Sequence, residues 1–235
     1  MVSSKILTLA VHLSGSNYGK RFLRGLSYPK EVRHQVWTGS FTPPEQKNLF
    51  LSHRDLNYDA VNIYNLTKVL FQKVENLSPM DRAIYIYVKT YMTDDILAKV
   101  DRASMANSLE VRAPFLDTEF AEFAASIPPQ FKLKAFKTKW ILKKMLKNKL
   151  PGETLKKGKR GFAVPVAKWL KADLRHLLLE AFDKKKIERE GIFNYSYIKG
   201  LVRGFLENES DTRKEIWALF MFEMWYDKWM NPAHS

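Results

Sequence analysis

Apolar residues recur at three- and four-residue spacing through most of the chain, and Pro and Gly interrupt the pattern at short intervals. That period is the surface geometry of an α-helix, in which residues i, i+3 and i+4 share a face. It predicts helices over residues 59–71, 81–91, 94–106, 118–126, 138–146, 166–182 and 212–229. Thr-Pro-Pro at 42–44, Ser-Pro at 78–79, Pro-Pro at 128–129, Pro-Gly at 151–152 and Gly158 supply the stops. Strong two-residue alternation is absent, so the expectation is a mainly α chain. With 46% hydrophobic and 27% charged residues, 235 residues suffice to bury a core. No repeat or low-complexity linker divides them. Residues 1–235 therefore read as a single helical unit, with 1–58 as a peripheral helical segment and 59–235 as the helical core.

Two boundaries carry capping chemistry. Thr93 before Asp94 and Asp95 predicts a helix start, because a hydroxyl and two carboxylates suit the exposed N–H groups of a first turn. Pro114 stops what precedes it, and Asp117 before Thr118 and Glu119 predicts the next start. The last helix, IWALFMFEMWYDKWM, is apolar on nearly every face. It is either buried in its own domain or covered by another polypeptide.

Several classes are set aside at once. Cysteine is absent, so there is no disulfide framework and no thiolate chemistry, and a reducing, cytoplasmic setting is expected. The apolar run at 6–13 is too short and too poorly flanked for a signal peptide, and no span of about 20 apolar residues offers a membrane crossing. A net charge of +14 asks for an anionic partner or a tolerated surface excess. Between Lys132 and Arg160 stand eleven lysines and one arginine against one acidic residue, Glu153. In TKWILKKMLKNKL the lysines fill the polar side of an apolar stripe, which is the pattern of a solvated helix face. LKKGKRGFAVP differs. Gly158 and Gly161 flank Lys159 and Arg160, so the backbone can follow a tight path and hold a cation in a fixed place. Such a lysine can balance phosphate charge or handle a proton.

VDRASMANSLEVRAPFLD, residues 100–117, sets Asp101, Arg102, Glu110, Arg112 and Asp117 among small and apolar residues. Three readings are open: one wall of a catalytic site, an ion-pair network, or charged faces meeting water. Asp101 and Arg102 point about 100° apart on a helix, whereas Glu110 and Arg112 share a side if extended. A guanidinium of Arg102 or Arg112 forked onto Glu110, Asp101 or Asp117 would lock helix, turn and helix together.

VDRASMANSLEVRAPFLD and KKGKRGFAVPVAKWL together resemble the synthetase domain of glutamine-dependent asparagine synthetases. There a helix runs into a Glu-x-Arg-x-Pro-Phe-Leu-Asp turn, and a Lys-x-Gly-Phe-x-Val-Pro loop follows. YMTDDILAKVDRASM and TKWILKKML are similar to the bacterial asparagine synthetase-like amidotransferases, and KRFLRGLSYPKEVRHQVWTGSF is compatible more faintly. The resemblance implies the helical carboxy-terminal portion of an α/β ATP-pyrophosphatase-type, adenine nucleotide alpha hydrolase-like domain. It implies ATP-dependent activation of aspartate or another carboxylate as an acyl-adenylate, then amidation by glutamine-derived ammonia. Lys159 matches the family's active-site lysine. Arg160, Asp101 and Arg102 take supporting places on the substrate and phosphate side, and Glu110, Arg112 and Asp117 the structural network. The intact family member uses ATP and Mg²⁺.

The departures are as specific. The family's Ser-Gly-Gly-x-Asp-Ser and Gly-Asp-Gly-x-Asp-Glu segments do not occur in this sequence. LSGSNYG at 13–19 shares only the first Ser-Gly and stands too near Lys159 in sequence. Position 2 is valine where the glutaminase nucleophile would be cysteine. The expectation is an incomplete synthetase, inactive and without tight ATP or metal binding alone, whose glutaminase and ATP-loop portion act in cis or in trans. Cofactor-binding residues of its own stay unassigned, and no metal site is expected. Two alternatives remain: a basic helical module gripping nucleic acid, for which no recognition motif speaks, and a remnant that docks on proteins or self-associates through its apolar helices.

Overall fold

The computed structural model describes residues 17–51, 64–135, 137–157, 164–209 and 211–230. In chain order its elements are α1 (Asn17–Leu26), α2 (Arg33–Thr38), α3 (Pro43–Leu49), α4 (Asn65–Lys73) and α5 (Pro79–Tyr87). A π-helical segment, Val88–Leu97, leads into α6 (Ala98–Met105), and a 3₁₀ turn at Pro114–Leu116 leads into α7 (Thr118–Ser126) and α8 (Pro129–Lys132). A hairpin of β1 (Leu133–Lys134) and β2 (Lys137–Thr138) precedes α9 (Trp140–Leu146) and α10 (Gly152–Lys156). The described chain ends with α11 (Val166–Lys171), α12 (Arg175–Ala181), α13 (Lys184–Glu190), α14 (Tyr195–Leu206) and α15 (Arg213–Met230). The chain is therefore mainly helical, as its periodicity predicts. Its contacts group into two compact units, residues 1–65 with 163–235, and residues 66–162.

The first unit holds the larger core. Leu170, Leu178, Ile187, Ile198, Phe205 and Ile216, from five helices, are all but fully buried in one cluster. Side chains of this kind each contribute about 1.5–3 kcal/mol when removed from water. Local chemistry fixes the helix ends. Asp183 accepts from the N–H groups of Lys185 and Lys186 at 2.9 and 3.2 Å, and Asn194 caps α14 in the same way. Gly191 ends α13 in the left-handed region at φ +62°, where a side chain would be strained. In the amino-terminal part, α1 packs on α2 through stacked Phe22 and Trp37, centroids 5.4 Å apart. Arg24 ties α1 to the start of α3 through Thr42 and Glu45, and Glu45 also accepts the Thr42 N–H at 2.8 Å. A short antiparallel bridge, Phe50 with Phe193, joins the two sequence halves of this unit. Leu51 donates to Ile192 and Asn194 to Leu49.

The second unit buries little. Leu70 and Ile86 are its buried hydrophobic side chains among the described residues, and helices α6 to α10 contribute none. Its cross-ties are polar. Lys132 donates to Asp81 at 3.0 Å and to the Ala125 carbonyl at 2.9 Å, and Arg82 lies over the Phe71 ring.

Three boundaries differ from the sequence expectation. No helix starts at Asp94. Thr93 lies inside the π segment, and its hydroxyl donates backwards to the Val88 carbonyl at 2.7 Å, five residues earlier, instead of accepting from N–H groups ahead. The 166–182 pattern is two helices. The ladder breaks at Ala172, whose φ −120° and ψ −96° leave the helical region, and the Leu174 N–H closes back on Trp169. Of the 59–71 pattern, helix is described from Asn65 onward, and residues 59–63 lie outside the described residues.

Candidate functional site

Residues 88–117 form a continuous run of π-helix, α6, extended chain and 3₁₀ turn. Long π segments are rare, and π geometry concentrates at functional positions because it offsets side chains from the regular helical register. Here two threonine hydroxyls help to satisfy the widened ladder: Thr90, buried, donates to Ile86, and Thr93 donates to Val88. Tyr91 stands in the same segment. Burial first, then the Asp95 carboxylate, raises its phenol above the ordinary range.

Helix α6 carries Asp101 and Arg102, both exposed. Neither side chain holds an ion pair or hydrogen bond among the described residues. The helix closes at Ser108, which adopts φ +55° so that the Leu109 N–H can reach the Ser104 carbonyl at 3.0 Å. The chain then extends. Glu110 and Arg112, two residues apart, face the same side and pair at 2.7 Å in full contact with solvent. Pro114 opens the 3₁₀ turn, and Asp117 accepts the Phe120 N–H at 3.0 Å as cap of α7.

The five charges thus do not form one interlocked network. Glu110 and Arg112 form a pair, Asp117 is a cap, and Asp101 and Arg102 stand apart from them. The reason is burial. These groups lie in water, where no unpaired charge forces a shared solution, and an exposed pair is worth about 1 kcal/mol or less. Lys159, Arg160 and the two glycines beside them lie outside the described residues.

Between the charges, apolar side chains face outward. Leu109, Val111, Phe115 and Phe123 are each more than half exposed, and Phe115 meets Phe120 edge-on at 5.4 Å. Helices α6 to α10 set no buried side chain behind this run among the described residues. The basic helix α9 is largely a solvated face, as its pattern implies. Lys134 and Lys144 lie over the half-buried Trp140 ring at 4.8 and 5.1 Å. Lys132 departs from it: tied to Asp81, it draws that carboxyl below the usual range together with the Ser78 hydroxyl, which contributes more.

Among the described residues no three His, Asp or Glu side chains come together to hold a metal ion. Asp101 is the sole acidic side chain of α6, and Glu110 is paired with Arg112. No helix of the described residues is long and apolar enough to cross a membrane.

A second cluster has no counterpart in the sequence reading. In the first unit the Lys186 ammonium lies 3.0 Å from Glu223, 2.8 Å from Asp227 and 3.9 Å from Glu190. Burial, then the Glu223 charge, pushes the Glu190 carboxyl up to about 7, and burial raises Glu223 too. The i, i+4 spacing of Lys186 and Glu190 was visible in sequence. Their meeting with Glu223 joins helices far apart in the chain and had no sequence signal.

The model of the asparagine synthase family matches residues 4–227. Asparagine synthetase [glutamine-hydrolyzing] 1 of Bacillus subtilis is 29% identical over 221 residues, which is 94% of this chain and 34% of that protein. A protein of Mycobacterium bovis provisionally named for the same enzyme is 29% identical over 210 residues, 88% of this chain and 31% of its own length. The amidase chyE of Penicillium rubens is 28% identical over 125 residues, 50% of this chain and 19% of that protein. The chain thus spans about a third of the length of the first two. No solved structure matches it significantly.

Proposed function

The chain belongs to the asparagine synthase family, and from that premise we propose that it is the carboxy-terminal part of an ATP-dependent amidotransferase. The observation that carries the reading is the family match over residues 4–227. In the complete assembly the carboxylate of aspartate, or of another acceptor, is activated by ATP and then amidated with ammonia released from glutamine. The glutaminase and ATP-loop portion act in cis or in trans, and their ATP and Mg²⁺ are not held by this chain alone.

Within such an assembly residues 88–117 form one wall of the cleft. Asp101 and Arg102, free of internal partners among the described residues, are the groups of that wall open to a polar ligand. Glu110, Arg112 and Asp117 position it by holding the extended segment and the start of α7. Lys159 faces the developing charge, either by stabilising phosphate oxygens or by moving a proton at the tetrahedral step, with Arg160 in support. The outward-facing Leu109, Val111, Phe115 and Phe123 support the same reading, because an ATP-loop portion packed on this wall would bury them.

A chimera tests this. With this chain in place of the matching third of the Bacillus subtilis relative, aspartate-dependent exchange of pyrophosphate into ATP is expected. Lys159→Ala should lower it about 10²–10³-fold. Unchanged exchange in a normally folded Lys159→Ala chimera removes the lysine from the adenylation step, and unchanged ammonia-dependent amide formation as well removes it from the mechanism. The 235-residue chain alone should show no tight ATP binding in calorimetry, and tight binding would contradict its incompleteness.

A further inference from the structure

Helices α12 and α14 of the first unit enclose an open cleft of about 370 Å³ whose chemistry the amidation reading does not use. Its floor is the apolar stripe of α14, Ile198 and Val202, with Phe182 at the end of α12, all three buried. Leu179, 47% exposed, forms one wall. The rim is cationic: Arg175 from α12, Lys199 and Arg203 from α14. A single acidic group, Glu207, lines the cleft, and it reaches Arg203 only at 4.0 Å with both side chains more than half exposed. Arg175 and Lys199 hold no side-chain ion pair or hydrogen bond among the described residues, and neither does the Tyr195 hydroxyl beside them.

The arrangement follows from helical spacing. Positions 195, 198, 199, 202, 203 and 206 are i, i+3, i+4, i+7, i+8 and i+11, so one face of α14 carries an apolar line edged by two cations. Lys199 and Arg203 are four residues apart and repel one another across one turn. Glu207 meets Arg203 alone and at the limit of ion-pair reach, whereas an anion seated between Lys199, Arg203 and Arg175 would answer all three. The guanidinium forks match the flat geometry of a carboxylate.

We propose that this cleft binds a small amphipathic carboxylate, its apolar body along Leu179 and over the edges of Phe182 and Val202 and its anionic end among Arg175, Lys199 and Arg203. The volume selects the class. It lies at the small end of ligand cavities and holds about a dozen non-hydrogen atoms at protein packing density. A helix, about 10 Å across, does not fit. The apolar floor excludes a bare anion such as acetate as a good ligand, and the three cations exclude an amphipathic ammonium.

The test is a calorimetric titration of the 235-residue chain with octanoate, in parallel with octyltrimethylammonium and acetate. Saturable one-to-one octanoate binding at submillimolar Kd is expected, with the other two at least about tenfold weaker. The Arg175→Glu/Lys199→Glu variant changes only exposed side chains, so its fold is checked by an unshifted Tm. It should lose octanoate affinity about tenfold or more and gain affinity for octyltrimethylammonium. Leu179→Trp, at an exposed position, should block the cleft for both. The proposal is overturned if octanoate fails to saturate up to about 10 mM, if it binds no better than the ammonium, or if neither variant moves its Kd.

Discussion

Single residues carry strain and fit that the sequence did not announce. Ser108 closes α6 at φ +55°, a place where glycine is the usual residue because a Cβ is crowded there. Ser108→Gly is expected to raise stability by about 0.5–1 kcal/mol, read as a higher Tm, because relieved strain exceeds the added freedom of the unfolded chain. Gly25 has the opposite constraint. A Cβ there would stand 1.8 Å from the Trp37 indole nitrogen, which itself donates to the Phe22 carbonyl. Gly25→Ala should therefore cost about 1–3 kcal/mol in urea denaturation, as overpacking does. Neither position was legible, since a glycine within a helical pattern shows nothing of the ring lying over it. Asp117 was legible, because its company of Thr118 and Glu119 is a local signal and its bond to Phe120 N–H is local as well. Thr93 carried the same signal and failed, since a continuous helix left its hydroxyl only a carbonyl behind it to meet.

At the level of elements, α13 and α15 are joined by a buried group of charges whose balance depends on pH. The Glu190 carboxyl sits at about 7 when folded, against an ordinary value of 4.5. A carboxyl raised in the folded state binds its proton more tightly there than in the unfolded chain. Its stabilising share is present below about pH 4.5 and is lost as pH rises through about 7. Thermal unfolding followed from pH 5 to 8 should show stability falling over that window, with a flatter profile in Glu190→Gln, whose amide keeps no charge to bury. An unchanged slope would assign the titration elsewhere. Seven helical patterns were readable from period alone; α13 and α14 were not among them, and neither the break at Ala172 nor the π segment was foreseen. Both preserve the same apolar spacing that a regular helix would show.

For the molecule as a whole, the two units differ in how they are held. Helices α12 to α15 close on a shared core, while α6 to α10 present their apolar side chains outward. Amide hydrogen exchange should accordingly be slowest in the former and faster by orders of magnitude across residues 98–146. Phe123→Glu should cost less than about 1 kcal/mol, against about 3–5 for a core phenylalanine, and should reduce the signal of a dye that reports exposed apolar surface. The division into units was invisible in composition, because no linker marks residues 65 or 163 and because residues 49–51 find their partners at 192–194. That short bridge of Leu49, Phe50 and Leu51 has a consequence in time. A chain emerging from a ribosome at about 5–20 residues per second offers residues 49–51 no partner for about 7–30 s. During that interval the whole second unit is synthesised as an unclosed loop. The amino-terminal helices must therefore wait, shielded by their own packing or by chaperones, until residue 194 arrives to lock them.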